Sequence, residues 1–105
     1  MNWMFWKSEG QTKKLPGPKA PPQQVVNYLV GKAKMSPDAV WRLKAVTIPR
    51  SDEKNVIDVR VYDSNVTERN GVKVTNYHSL DDHSVLVIFD GWYNKETHAV
   101  DKKKL

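Results

Sequence analysis

Two runs of alternating apolar and polar residues constrain the fold of this 105-residue chain more than any other feature. The first run, residues 41–48, places four residues on one side of a strand: Trp41, Leu43, Ala45 and Thr47. The second run, residues 56–62, places three residues on one side: Ile57, Val59 and Val61. Side chains of a strand point alternately to its two faces, and residues 49–55 between the runs are rich in turn formers and charge. The pattern therefore predicts a β-hairpin.

A helix is predicted before the hairpin, and further strands are predicted after it. Pro21 and Pro22 can begin a helix, because the first helical position needs no N–H group, and apolar residues then recur at spacings of three and four. Residues 85–89 are apolar at every position, which predicts a central strand covered on both faces, and residues 97–101 can return as an edge strand. We therefore predict an α+β fold: a single small domain with an antiparallel sheet of four to five strands, one main N-terminal helix over about residues 22–34, and short helical turns.

Local signals predict how the other connections are made. Ser36-Pro37-Asp38 should begin a short helical turn, because serine can cap a helix and proline fits its first position. Asp63 or Ser64 should cap a short helix that Asn70-Gly71 ends in the left-handed conformation. Residues 72–74 are at most a short edge strand, and Ser79 should begin one more capped turn that includes two aspartates.

The first 20 residues differ in composition from the rest and are predicted to form an arm on a domain that spans residues 21–105. The tip of this arm carries three large aromatic side chains: Trp3, Phe5 and Trp6. Left in water they would expose a large apolar area, so we expect the tip to cover a patch on its own domain or, by self-association through residues 1–8, on a sister subunit. Contact with a membrane surface is a third alternative, which ranks last because the four apolar residues 3–6 alone would anchor weakly.

Positive charge is concentrated in the first half of the chain. The net charge is +5, and residues 1–50 hold nine basic and two acidic residues, whereas residues 51–105 hold eight basic and ten acidic residues. Such asymmetry favours contact with an acidic partner, either a protein or a nucleic acid. The chain has no cysteine and no apolar run long enough to span a membrane, so we expect a cytoplasmic protein.

Candidate binding residues lie on the face of the hairpin opposite the predicted core side. The expected register places Lys44 opposite Arg60, and it places Arg42 opposite Tyr62. Cations beside an aromatic ring on an open sheet face resemble the chemistry of single-stranded nucleic-acid binding, in which rings stack on bases and cations contact phosphates. A solvated sheet face is the alternative. With two lysines near the end of the helix, the predicted basic surface comprises Arg42, Lys44, Arg60, Tyr62, Lys32 and Lys34.

One cluster suggests an enzymatic alternative. His78 and His83 flank Asp81 and Asp82, and imidazole and carboxylate groups can serve as bases or metal ligands. A spacing of five residues does not place the two histidines on one helix face, and the two aspartates suit the first turn of a helix. His98, on the predicted edge strand, is expected to be exposed. We therefore expect no catalytic residue, no metal site and no cofactor.

The sequence thus predicts a non-enzymatic binding or interaction module whose basic surface faces an acidic partner. Two alternatives stay open. One is a small enzyme that uses His78, Asp81, Asp82 and His83. The other is an assembly protein that oligomerises through its N-terminal aromatic arm.

Overall fold

The computed structural model describes residues 16–81 and 87–103. Along this part of the chain, the helices and strands follow one another in this order: α1 (Gln23–Gly31), β1 (Leu43–Pro49), β2 (Val56–Asp63), α2 (Ser64–Arg69), β3 (Val87–Asn94) and β4 (Val100–Lys102). Short 3-10 helices precede β1 and follow α2: Pro37–Arg42 and Tyr77–Leu80. The four strands form one antiparallel sheet in the order β1-β2-β3-β4. The predicted α+β fold is confirmed.

Helix α1 covers one face of the sheet. It begins directly after Pro22, as the paired prolines predict, and ends at Gly31, three residues before the predicted end. Its side chain Tyr28 meets Phe89 edge to face, with ring centroids 5.3 Å apart. The core under α1 comprises Val25, Leu29, Leu43, Ala45, Val59, Val61 and Phe89.

The opposite face of the sheet is covered by residues 72–80, so the sheet lies between two layers. This second cluster comprises Val46, Tyr62, Tyr77 and Leu80, against which Ile48, Val72, Val74 and Val87 pack. Because both faces are covered, the neighbouring residues Ala45 and Val46 are both buried although they point to opposite sides. Residues 72–74 belong to this covering layer and form no strand, so the short edge strand that the sequence allowed there is not formed.

The predicted hairpin is confirmed, but its predicted register is wrong by two residues. Lys44 lies opposite Tyr62, and Arg60 lies opposite Val46. Arg42 precedes β1 and has no partner position on β2. A shift of two keeps each side chain on its predicted face, because strand faces repeat every second residue. It removes the pairing of two like charges that the expected register implied.

The physical reason for the shift lies in the turn of the hairpin. Pro49 is still paired, opposite Ile57, and the Arg50 N–H donates to the carbonyl oxygen of Val56 at 3.0 Å. The Arg50 guanidinium also forms an ion pair with Asp58, with 2.7 Å between Nη2 and Oδ1. These contacts extend the pairing into the polar loop, so the turn is shorter than the alternating pattern indicates.

Trp41 is a second correction, because it precedes the strand. The 3-10 helix Pro37–Arg42 begins where predicted, and the Ser36 hydroxyl accepts a hydrogen bond from the Asp38 N–H at 3.3 Å. The turn then continues to Arg42 and takes in the first two residues of the predicted strand. Trp41 therefore leaves the core side, and it is 75% exposed.

The remaining connections follow the predicted chemistry. The Asp63 carboxylate caps α2 by accepting hydrogen bonds from the N–H groups of Asn65 and Val66 at 2.9 and 3.3 Å. Gly71, with φ of +75°, ends this segment in the left-handed conformation that glycine adopts easily. The predicted apolar strand is confirmed as β3, while residues 85 and 86 lie outside the described residues. The returning edge strand predicted over residues 97–101 is present as β4, but it begins later, at Val100.

Residues 16–20, the last part of the predicted arm, meet the outer edge of β1. Lys19 and Ala45 exchange two backbone hydrogen bonds, of 3.0 Å from the Lys19 N–H and 2.8 Å from the Ala45 N–H. In an extended segment, successive N–H groups alternate in direction, so Pro16 and Pro18 occupy positions that face away from β1. Proline has no N–H group, and neither position can donate a hydrogen bond to a further strand.

Candidate binding surface

Arg60, one of the predicted binding residues, is held by the fold. Its guanidinium donates to the Tyr77 carbonyl oxygen at 3.0 Å and lies 4.1 Å from the centroid of the Tyr77 ring. It also forms ion pairs with Asp81, at 2.5 Å, and with Asp90 on β3, at 3.4 Å. Its side chain is 12% exposed. These contacts fasten residues 77–81 to the sheet, so Arg60 presents little charge to a partner.

Tyr62 is also taken up by the covered face of the sheet. It is 3% exposed and belongs to the second core cluster. Burial raises the pKa of its hydroxyl above the ordinary value, and the nearby Glu68 carboxylate raises it further. The phenol is therefore neutral at physiological pH, and its ring does not offer an open face for stacking.

Arg42 and Lys44 remain at the surface near the start of β1. Arg42 Nε lies 3.2 Å from Asp63 Oδ2, and the Arg42 side chain is only partly buried. Burial alone would raise the pKa of Asp63, but hydrogen bonds from Val66 N–H and Arg42 outweigh it and the pKa is lowered. Lys44 is exposed, and among the described residues no carboxylate lies within 4.0 Å of its ammonium group.

Lys32 and Lys34 are exposed but lie apart from this surface. They follow the end of α1, which packs on one face of the sheet, whereas Lys44 lies on the other face with Val46. Lys34 has a φ of 59°, the left-handed conformation in which the chain turns after the helix. Arg42 and Lys44 are therefore neighbours along the chain at the start of β1, and the structure does not bring Lys32 and Lys34 to them.

Trp41 is the surface residue that the sequence analysis missed. It is the one exposed large apolar side chain among the residues that the structure describes. The Arg42 guanidinium lies 5.8 Å from the centroid of its ring. Alternation alone assigned Trp41 to the core, and the signal that could have placed it outside is the capped turn that begins at Ser36.

A groove of about 280 Å³ lies on the same face of the sheet as Lys44. It is bounded by the segment before α1, by β1 and β2, by α2 and by the layer that follows α2, and its lining residues are Pro18, Lys44, Tyr62, Thr67, Glu68, Val72, Lys73 and Val74. Thr67 is 2% exposed, and its hydroxyl has no hydrogen-bond partner in the described part of the chain. A buried hydroxyl without a hydrogen-bond partner raises the free energy of the folded state. Few buried polar groups in proteins lack a partner, so this one sets the groove apart from an ordinary surface depression.

The histidine and aspartate cluster is only partly described. His78 Nδ1 lies 3.1 Å from Asp81 Oδ2, while Asp82 and His83 lie outside the described residues. Hydrogen bonds from Arg60 and then from His78 lower the pKa of Asp81. An ionised carboxylate held in this way accepts hydrogen bonds from both partners. Within residues 16–81 and 87–103, no group of three or more His, Asp or Glu side chains could hold a metal ion.

The turn that contains this cluster begins earlier than predicted. The cap is Asn76, whose side chain accepts a hydrogen bond from the His78 N–H at 2.9 Å, and the Ser79 hydroxyl accepts from the Asn76 N–H at 3.1 Å. Asp81 follows the 3-10 helix Tyr77–Leu80 and does not lie in its first turn, so that prediction is wrong. The reciprocal pair of Asn76 and Ser79 fixes the start of the turn and outweighs the capping by Ser79 that the sequence indicated.

Other predicted residues lie elsewhere or are not described. His98 is exposed, as expected, and its Nδ1 lies 3.0 Å from Gln24 Nε2. The aromatic residues at the tip of the arm lie outside the described residues: Trp3, Phe5 and Trp6. The contact expected for the tip therefore stays a prediction. Within the described ranges, the helices are too short and too polar to cross a membrane.

We compared the chain with protein-family models, with curated proteins and with solved structures. Comparison with protein-family models finds no match, and comparisons with curated proteins and with solved structures find no significant match.

Proposed function

We propose that this protein is a non-enzymatic binding module for an acidic partner, and that the partner is single-stranded nucleic acid. The observation that carries the proposal is the exposure of Trp41 beside the Arg42 guanidinium, three residues before the exposed Lys44 in the chain. An indole ring at the surface can stack on an unpaired base, since every base offers a flat π face. A duplex keeps its bases stacked on one another and does not offer that face.

The cations beside the ring support the same partner. Arg42 and Lys44 are two positions apart, one just before β1 and one within it, with Lys19 attached to the neighbouring residue Ala45. Basic groups spaced along an extended chain can contact successive phosphates, and each contact releases a condensed counterion. Tyr62 and Arg60 have no part in this proposal, because their side chains are held in the covered face.

The proposal is tested by the fluorescence anisotropy of a labelled oligothymidylate, at low and at physiological salt, with a duplex of the same length for comparison. We expect the single strand to bind more tightly than the duplex and to bind more weakly as salt is raised. Trp41→Ala should weaken binding about tenfold to a hundredfold, because stacking on one base contributes about 1–3 kcal/mol. Trp41→Phe should recover much of the loss, because it retains an aromatic face.

Lys44→Gln should weaken binding of every oligonucleotide and reduce the salt dependence by about one counterion. Lys95→Gln is the matched control, because this lysine is exposed on the turn between β3 and β4, and it should change little. Absence of binding at low salt overturns the nucleic-acid proposal. Competition by polyglutamate with no effect of Trp41→Ala would instead identify an acidic protein as the partner.

The cytoplasm is the compartment that suits this proposal, because the chain is free of cysteine and nucleic acid is available there. The two alternatives, a small enzyme and an assembly protein, stay predictions. The first depends on Asp82 and His83 and the second on Trp3, Phe5 and Trp6, all of which lie outside the described residues.

A further inference from the structure

The groove beside α2 carries a further inference, which shares only Lys44 with the proposed nucleic-acid surface. We infer that it is a binding site for a small organic anion, with one carboxylate or phosphate group on an apolar body. Its walls supply the two parts of such a site: apolar side chains from Pro18, Val72 and Val74, and polar groups that can donate hydrogen bonds.

The balance of polar groups favours an anion. Four of the lining residues carry donors, which are the ammonium groups of Lys44 and Lys73 and the hydroxyl groups of Tyr62 and Thr67. One lining residue, Glu68, carries a carboxylate, so the two lysines outnumber it. Lys44 and Lys73 are exposed whereas Tyr62 and Thr67 are buried, so the two charged residues lie nearer the solvent than the two residues that carry hydroxyl groups.

Thr67 supplies the second observation. A threonine within a helix commonly donates its hydroxyl to a backbone carbonyl one turn earlier, which satisfies the group locally. Here the Thr67 hydroxyl has no such partner among the described residues, although the side chain is almost fully buried. Valine has the same shape without the hydroxyl and would avoid the cost of burying it. Rotation of the Thr67 side chain would bring this buried hydroxyl to the groove, where an oxygen of a bound ligand would satisfy it.

The first experiment uses benzoate and phenyl phosphate as probes in separate titrations of the full chain, followed by NMR amide shifts. We expect both anions to move the resonances of Thr67 and of residues 72–74, with benzylamine moving them little because it carries the opposite charge. The two anions distinguish the carboxylate from the phosphate as the preferred head group. Inorganic phosphate should bind more weakly than phenyl phosphate, because it lacks the apolar body.

The second experiment separates a ligand role from a structural role for Thr67. Thr67→Val should raise Tm by about 4 °C or more and weaken the preferred anion about tenfold, because the unpaired hydroxyl is removed. Thr67→Ser should do the opposite, lowering Tm through the lost methyl group while keeping the affinity. In a purely structural role, affinity would follow Tm in both variants.

Lys73→Gln should weaken both anions, and Lys95→Gln serves as its charge-matched control outside the groove. Trp41→Ala should leave anion binding unchanged, so loss of the nucleic-acid surface and loss of the groove are distinguishable. The inference is overturned if benzylamine binds as well as benzoate. It is also overturned if neither anion shifts the groove resonances at millimolar concentration, or if Thr67→Val leaves the affinity unchanged.

Discussion

The two faces of the sheet are built on different physical principles. The face under α1 is closed by apolar side chains such as Leu29 and Phe89, whose packing needs no particular charge state. The face under residues 72–80 combines an apolar cluster with a network centred on Arg60, which joins Tyr77, Asp81 and Asp90. The layer over one face is thus positioned by the apolar stripe of a regular helix. The layer over the other face is irregular, and side-chain hydrogen bonds position it.

The largest expected effect is the loss of stability when a substitution creates a cavity under α1. Leu29→Ala should lower the free energy of unfolding by about 2–5 kcal/mol, because Leu29 is 2% exposed and its loss leaves a void in a packed core. Urea denaturation measures the change. The loss should be nearly independent of salt and of pH between 5 and 8, since no charged group takes part. A loss that varies strongly with salt would contradict the proposed contrast between the faces.

A smaller loss is expected on the opposite face. Arg60→Met should lower the free energy of unfolding by about 1–3 kcal/mol, because Asp90 loses its ion pair in a partly covered position. Met retains the apolar length of the side chain, so the effect reports mainly the lost polar contacts. The double variant Arg60→Met with Asp90→Asn should recover part of the loss. Additive losses in the two single variants would show that the pair is not coupled.

The smallest expected effect is on the pH dependence of the free energy of unfolding. The pKa values of Asp63 and Asp81 are lowered in the folded protein, so the unfolded chain takes up protons first as the pH falls. Their contribution to stability is present above the ordinary aspartate pKa of about 4 and is lost as the pH falls below it. Urea midpoints measured from neutral to acid pH should therefore fall, and Asp81→Asn should make the fall shallower. If the urea midpoint of that variant falls with pH as steeply as that of the unchanged protein, Asp81 does not contribute to the pH dependence.

Much of the fold follows from local signals. The alternation in β1 and β2, the paired prolines before α1 and the Asp63 cap of α2 each identify an element from a few neighbouring residues. These features succeed because period and capping chemistry act over one or two turns of chain. The same local logic correctly assigns the side-chain faces of the hairpin even though its register is shifted.

The candidate site was less predictable because it depends on contacts between distant residues. Alternation places Arg60 on the predicted binding face, but its ion pairs with Asp81 and Asp90 show that its charge stabilises the fold. Trp41 was assigned to the core because its position fits the strand pattern, but the capped 3-10 turn extends through it. The groove is formed by five separate parts of the chain, and no periodicity in the sequence marks their meeting.

The backbone exchange between Lys19 and Ala45 has a consequence for molecules crowded together. It places Pro16 and Pro18 along the outside of the sheet, where an approaching strand from another copy would need amide protons that these residues lack. Backbone pairing of another chain with residues 16–18 is therefore disfavoured.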